Sequence, residues 1–210
     1  VSDDVVQAVR DRFDHRAPSY DGSAMHRDLA AAVAAFVDLD GVADVLDVAT
    51  GTGLVLRALR ERPGGADLRL VGVDVSAGML AVARGHLPGA DLREADARDL
   101  PLPDACVDLV TCVTGLHLIP GTPAVVAQWA RVLRPAGRVV TATFASYDPA
   151  QHHREQPGSQ PPYPQRHAEF ATVEALDAQV ADAGLAVVRH GTWTDGHDVL
   201  LLAELARGAR

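Results

Sequence analysis

Three carboxylates and two glycines hold the chemistry that this chain can do. Asp47 closes the apolar run Val45-Leu46, Asp74 closes a second run from Leu68, and Asp96 closes the short extended stretch from Asp91. After the first acid the chain reads Val48-Ala49-Thr50-Gly51-Thr52-Gly53 and then takes up a helical apolar spacing from Leu54 to Leu59. A strand that turns through glycines into a helix N-terminus leaves backbone N–H groups unpaired where a ligand can reach them. Gly51 and Gly53 suit that turn, since a residue without Cβ takes positive φ or admits a ligand closely. Ligands of open parallel α/β sheets bind beyond the carboxyl ends of the strands, so acids ending three successive strands are expected to line one rim. There Asp74 would suit paired ribose hydroxyls, because a carboxylate accepts two hydrogen bonds at once. As a strand-end acid at the surface it is expected to have no core role. Asp96 could accept from an exocyclic amine such as that of adenine. Singly, each acid could equally be a solvated strand end or a helix cap.

The residues around the turn discriminate between nucleotide ligands. A dinucleotide fingerprint needs G-x-G-x-x-G, but the third glycine position holds Leu56 and an acid, Asp47, precedes the turn. A carboxylate just below the turn is awkward beside a phosphate and useful beside a cation. The pattern suits a ligand with adenine, ribose and a positively charged amino-acid end. It disfavours a nicotinamide oxidoreductase.

Leu46-Asp47-Val48-Ala49-Thr50-Gly51-Thr52-Gly53 resembles the first motif, D-x-G-x-G-x-G, of class I S-adenosylmethionine-dependent methyltransferases. Val73-Asp74-Val75-Ser76-Ala77-Gly78-Met79-Leu80 is similar to their acidic second motif, and Ala95-Asp96-Ala97 with Leu100-Pro101 to the third. Arg131-Val132-Leu133-Arg134-Pro135-Ala136-Gly137-Arg138 resembles the turn before the fifth strand, so the likeness spans residues 44 to 144. Its flavour is that of the small-molecule branch containing the ubiquinone/menaquinone C-methyltransferases. One position departs: Ala49 stands where the family has its first glycine.

The resemblance implies a Rossmann-like three-layer α/β sandwich: a mostly parallel seven-stranded sheet with an antiparallel last strand and an N-terminal helical cap. It implies S-adenosyl-L-methionine as cofactor, S-adenosyl-L-homocysteine as product and no metal. The implied cofactor contacts are Tyr20, Asp47, Ala49, Thr50, Gly51, Gly53, Asp74, Val75, Met79, Asp96, Ala97 and Thr114. His117, Tyr163 and His167 are expected against the substrate, a small-molecule methyl acceptor of biosynthetic metabolism. Members of this fold that hold the cofactor while catalysing cyclisation, or without methylating, remain an alternative.

Composition narrows the partners. With 48% hydrophobic residues, the 210-residue chain can bury a full core as one domain. Lys+Arg 19 against Asp+Glu 28 gives a net charge of −9, so nucleic acid and anionic membrane surfaces are poor partners. Cys106 and Cys112 lie in or beside one apolar strand and read as reduced, which suits the cytoplasm. No apolar run approaches the ~20 residues of a membrane span, and the acidic start does not read as a secretory signal. A soluble, cytoplasmic protein is expected, with a homodimer left open.

The elements that must position these residues follow in order. Residues 1–40 read as a helical lid, with Val5, Val6, Val9 and Phe13 at helical spacing and a second helix from Leu29 to Phe36. Phe13-Asp14 and Ala17-Pro18-x-Tyr20-Asp21 resemble the family segment that folds over the methionine end of the cofactor, which makes Tyr20 either a lid residue or an ordinary packing residue. Residues 44–144 alternate strands with helices and are expected to form the cofactor-binding core, with Asp108–Val113 as a central strand. Residues 145–171 are broken by Pro149, Pro157, Pro161, Pro162 and Pro164, which makes them a substrate loop or a connector. The region 172–207 reads as a helix to Ala183 and two strands joined by a turn at Asp195-Gly196.

Transfer of a methyl group is an in-line displacement dominated by positioning; a base is needed only if the acceptor loses a proton. His117 follows the fourth strand and titrates near neutrality, which makes it the candidate base. The relatives' L-H-H or L-H-W stretch makes the same residue a wall of the site instead. His152-His153 lacks the i, i+4 spacing of a helical metal site and reads as solvated loop.

Overall fold

Apolar runs separated by glycine and proline breaks become the strands of one sheet in the computed structural model, which describes residues 2–146 and 163–208. The strands are β1 Asp44–Val48, β2 Arg69–Asp74, β3 Asp91–Glu94, β4 Val107–Val113, β5 Leu133–Ser146, β6 Leu185–Thr194 and β7 Val199–Arg207. Their order is β3-β2-β1-β4-β5-β7-β6. The first five run parallel, and β7 lies antiparallel between β5 and β6. The order reverses beside β1, between β2 and β4, and this places a binding crevice above the ends of β1 and β4.

Six helices accompany the sheet among the described residues: α1 Ser2–Arg16, α2 Ala24–Phe36, α3 Leu54–Arg60, α4 Ala77–His86, α5 Thr122–Val132 and α6 Val173–Val180. Two apolar clusters, one on each face, make three layers. On one face Val110 and Cys112 pack with Val125, Trp129, Leu176 and Val180 from α5 and α6. On the other, Leu109 packs with Leu29, Val33, Val55 and Leu59 from α2 and α3. Alternation along β4 thus feeds both layers, which is why its run of apolar residues is continuous. Each fully buried Leu or Val among them contributes about 1.5–3 kcal/mol.

Local chemistry sets the boundaries that spacing misjudged. Helix α2 begins at Ala24 rather than Leu29, because the Ser23 side chain caps it by accepting from the His26 N–H. Strand β5 begins at Leu133, which pairs with Val107 ahead of a register shift. Helix α6 stops at Val180, passes into the 3₁₀ turn Ala181–Ala183 and ends at Gly184 with φ of 72°. The predicted hairpin turn is present: Asp195 Oδ1 accepts from the N–H groups of His197 and Asp198, and Gly196 takes a φ of 93°. The middle of the expected substrate loop, residues 147–162 with His152 and His153, lies outside the described residues. No helix among the described residues is long and apolar enough to cross a membrane.

Candidate active site

The turn after β1 is shaped by backbone conformations that most residues avoid. Ala49, Gly51 and Gly53 all have positive φ, at 57°, 55° and 80°. The turn is tied down by the Thr50 N–H on the Val73 carbonyl (3.1 Å) and the Gly53 N–H on the Thr50 carbonyl (2.9 Å). Asp74, at the end of β2, completes it. Its Oδ2 accepts from the Gly51 N–H (2.8 Å) and its Oδ1 from the Ser76 N–H (2.9 Å). Burial pushes this carboxyl above the ordinary aspartate range, and the two N–H groups oppose that rise. A Cβ on Gly51 would meet nothing within 4 Å, so packing does not require glycine there. The positive φ and clearance for a ligand do.

The N-terminal segment covers this turn. Arg10 Nε donates to the Val75 carbonyl (2.9 Å), and Asp14 Oδ1 accepts from Ser76 Oγ (2.6 Å) and the Gly78 N–H (2.8 Å). Farther along, Asp21 pairs with Arg57 of α3 at 2.6 Å. Between cap and sheet lies a cleft with about 700 Å³ of empty space, part of it open to solvent. Val6, Val9, Phe13 and Tyr20 line it from the cap, and Leu118, Ile119 and Pro120 from the segment after β4. Burial foremost pushes the Tyr20 phenol up to about 12, so it is a proton donor at neutral pH, with the Thr114 hydroxyl beside it.

The three acids do not share one rim. Asp74 and Asp96 line the cavity; Asp47 does not. Asp47 sits inside β1 at 2% exposure, and its Oδ1 accepts from Thr111 Oγ1 of β4 at 2.7 Å. Complete burial raises its carboxyl to about 7, against the pull of the Thr111 hydroxyl. Asp96 is already engaged. Arg98 donates its backbone N–H to Oδ1 (2.8 Å) and its guanidinium to both oxygens (2.6 Å at the shortest). Burial would raise this carboxyl too, but the Arg98 contacts hold it below the ordinary range. An adenine amine would therefore share Asp96 with Arg98, a competitor that stands two residues away in the sequence.

Comparison with known proteins speaks to the same region. Residues 45–137 match the family described as a methyltransferase domain. The chain carries a class I S-adenosylmethionine-dependent methyltransferase domain. It is 36% identical to the demethylmenaquinone methyltransferase of Deinococcus radiodurans over 67% of this chain and 62% of that one. With the enzyme of the same name from Thermus thermophilus, identity is 40% over 48% of this chain and 46% of the relative. The chain thus spans about half the length of these curated relatives. In fold it resembles the S-adenosylhomocysteine-bound magnesium protoporphyrin IX methyltransferase of Synechocystis, with TM-score 0.72 and 18% identity, covering 97% of this chain and 100% of that one.

Nine of the residues expected at the methyltransferase cofactor site line the cavity: Tyr20, Ala49, Gly51, Asp74, Val75, Met79, Asp96, Ala97 and Thr114. The other three, Asp47, Thr50 and Gly53, lie in β1 and the turn without reaching the cavity wall. Thr50 packs beneath β2, where a Cβ on Gly72 would come within 2.9 Å of its methyl group. Val6 and Val9, read from the sequence only as apolar positions of the lid helix, and Leu118, Ile119 and Pro120 also line the cavity, since apolar wall residues look like core residues until the fold is known. The expectation that Asp74 is a surface acid with no part in stability is overturned by its grip on both sides of the turn.

The departure at Ala49 has a structural cost. A left-handed φ costs a non-glycine residue about 1–2 kcal/mol, partly offset by the ~0.4–1 kcal/mol of unfolded-state entropy that glycine would add. Ala49→Gly is therefore expected to stabilise the methyltransferase domain by about 0.5–1 kcal/mol, read as a rise in the urea midpoint. The Ala49 side chain also fixes its neighbour: a Cβ on Gly115 would stand 2.7 Å from Ala49 Cβ, so the pair tolerates only one methyl group.

His117, Tyr163 and His167 are absent from the cavity wall. His117 is buried just behind it, stacked on His167 at 4.1 Å and edge-on to Phe144 at 5.5 Å. Its Nδ1 has no hydrogen-bond partner among the described residues, and burial, then His167 and Arg166, push its pKa down to about 3. A general base works best with a pKa near the operating pH, so this setting argues against the base role. Tyr163 is buried, with its hydroxyl also without a partner among the described residues. Arg166 anchors the stretch after β4: its N–H donates to the His117 carbonyl (3.1 Å), and its guanidinium to the carbonyls of Leu116 and Ile119 and to Thr122 Oγ1.

Proposed function

We propose that the chain binds S-adenosyl-L-methionine in this cavity and transfers its methyl group to a small-molecule acceptor, leaving S-adenosyl-L-homocysteine. The observation that carries this reading is Asp74, which closes the glycine turn through the Gly51 N–H while lining the cavity. Its two oxygens each keep lone-pair capacity for a ribose hydroxyl. Asp96 and Ala97 flank it on the side suited to adenine, and Tyr20, Ala49, Gly51 and Thr114 bound the rest of the site. Leu56, fully buried in the core where a dinucleotide fingerprint has glycine, weighs against a nicotinamide ligand.

When bound, the cofactor supplies an electrophilic methyl group on a sulfonium. The protein's part is to hold, orient and keep water away. Val6, Val9 and Phe13 cover the cavity, and the positioned Leu118–Pro120 stretch gives the acceptor an apolar wall. Holding the two reactants in line provides much of the acceleration in such displacements. The demethylmenaquinone methyltransferase relatives make a reduced quinone a first acceptor to try. His117 and Tyr163, whose Nδ1 and hydroxyl find no partner among the described residues, would contact its polar groups from behind the wall once side chains shift, with His167 stacked on His117. In this reading the chain is one domain at work in the cytoplasm, where Cys106 and Cys112 stay as thiols.

The test is methyl transfer itself. Incubating the chain with methyl-labelled S-adenosylmethionine and a panel of reduced quinones, phenols and carboxylic acids is expected to label at least one product, with a mass gain of one methylene group. Cofactor binding with no labelled product, but with an isomerised substrate of unchanged mass, would move the reading to a cyclase.

A further inference from the structure

The cap and the cofactor turn are joined by a hydrogen-bond path that passes through no cavity residue until it reaches Asp74. It starts at Asp14 on α1, which does not line the cavity. Asp14 Oδ1 accepts from Ser76 Oγ at 2.6 Å and from the Gly78 N–H at 2.8 Å. Ser76 is fully buried and uses every polar group: Oγ donates to Asp14 and accepts from the Met79 N–H (3.0 Å), and N–H donates to Asp74 Oδ1 (2.9 Å). Asp74 Oδ2 then takes the Gly51 N–H. The close approach of α1 depends on Gly78, where a Cβ would come within 3.0 Å of Asp14 Oδ1 and 3.1 Å of its Cα.

We infer that Asp14 is a positioning residue for the cofactor site, orienting Asp74 through Ser76 while locking α1 over the cavity. A serine hydroxyl has one proton. Given to Asp14, it leaves the oxygen lone pairs for the Met79 N–H and fixes the Ser76 rotamer and the first turn of α4. That turn holds the Ser76 N–H against Asp74 Oδ1. Losing Asp14 frees the hydroxyl to rotate and releases the Gly78 N–H, so Asp74 loses a fixed partner on the side opposite Gly51. The same loss loosens α1, whose Val6, Val9 and Phe13 cover the cavity. Asp14 was visible in the sequence only as a neighbour of Phe13 in the entry segment.

The inference rests on the cofactor reading for its ligand effect but not for its local effect, and the experiment separates the two. Asp14→Ala is expected to weaken S-adenosylhomocysteine binding about tenfold by calorimetry, since charge-assisted bonds are lost and 1.4 kcal/mol is one decade. Asp14→Asn, which keeps an acceptor oxygen without the charge, should fall between it and wild type and stay folded. Ser76→Ala combined with Asp14→Ala should be little weaker than either single change, because the two act along one path. Without any ligand, hydrogen exchange of the Gly51 and Ser76 amides should quicken in both Asp14 variants while β6 and β7 amides keep their protection. A purely structural anchor would lower the melting temperature and leave both the affinity of the folded protein and those two amides unmoved. Unchanged Gly51 and Ser76 exchange in Asp14→Ala overturns the inference whatever the ligand does. A wild-type chain that does not bind S-adenosylhomocysteine overturns the cofactor reading instead.

Discussion

Asp74→Ala is expected to weaken S-adenosylhomocysteine binding at least about tenfold and to lower fold stability by about 2–4 kcal/mol. Both effects come from the same two oxygens. Each accepts a backbone N–H, from Gly51 and Ser76, and each has a second lone pair for a ribose hydroxyl. Hydrogen bonds to a charged acceptor contribute about 1.5–3 kcal/mol apiece; the alanine removes two of them along with the ribose contacts, and relief of the carboxylate's burial penalty offsets part of the stability loss. Asp74→Asn keeps one carbonyl oxygen but sets an amide N–H₂ against the other backbone donor, so it should lie between alanine and wild type in both assays. Urea titration gives the stability term, and calorimetry at a temperature where the variant is folded gives the affinity. Wild-type affinity in folded Asp74→Ala would remove the ribose contact from the account.

The second large effect depends on pH. Asp47 is held at about 7 in the folded chain against a usual value of 3.8, because complete burial penalises its charged form. Between these values the folded state keeps a proton that the unfolded chain releases. Asp47 therefore supports the fold fully below about pH 4, and this support is lost as pH rises through about 7. At 1.36 kcal/mol per pH unit the loss amounts to about 4 kcal/mol by pH 8. An asparagine side chain at this position has no charge to bury and can still accept from Thr111 Oγ1. Asp47→Asn should thus match wild type near pH 5 within about 2 kcal/mol and exceed it by several kcal/mol at pH 8. Paired urea melts across that range isolate the effect from the other carboxylates. Parallel stability curves for the two proteins would mean that Asp47 is ionised and compensated in the folded state.

Most of the framework was legible because its signals are local. The glycine turn, the Ser76 cap and the continuous β4 run follow from a few adjacent residues, and all three stand in the structure. The order of strands and helices from Asp44 to Ser146 was likewise readable from alternating periodicities. What escaped depends on depth and on partners brought from elsewhere. Asp47 and Asp74 look alike in sequence, each closing an apolar run, yet one is sealed between β1 and β4 while the other meets the cavity. Asp47 lies level with Gly72, so Asp74 stands two residues farther toward the strand ends, where the cavity opens. His117 looks like a base at neutral pH until His167, Arg166 and Phe144 close around it from segments 27 to 50 residues away. The apolar wall of the cavity was invisible for a simpler reason: Val6, Leu118 and Ile119 are the same residue types that fill the core.

Calorimetric titration of the wild-type chain with S-adenosylhomocysteine, beside NAD and NADP as controls, tests the central claim most directly. The account predicts saturable binding of S-adenosylhomocysteine at one site per chain and no heat from either nicotinamide cofactor. A folded chain, shown by circular dichroism, that binds NAD or NADP and gives no heat with S-adenosylhomocysteine would contradict it.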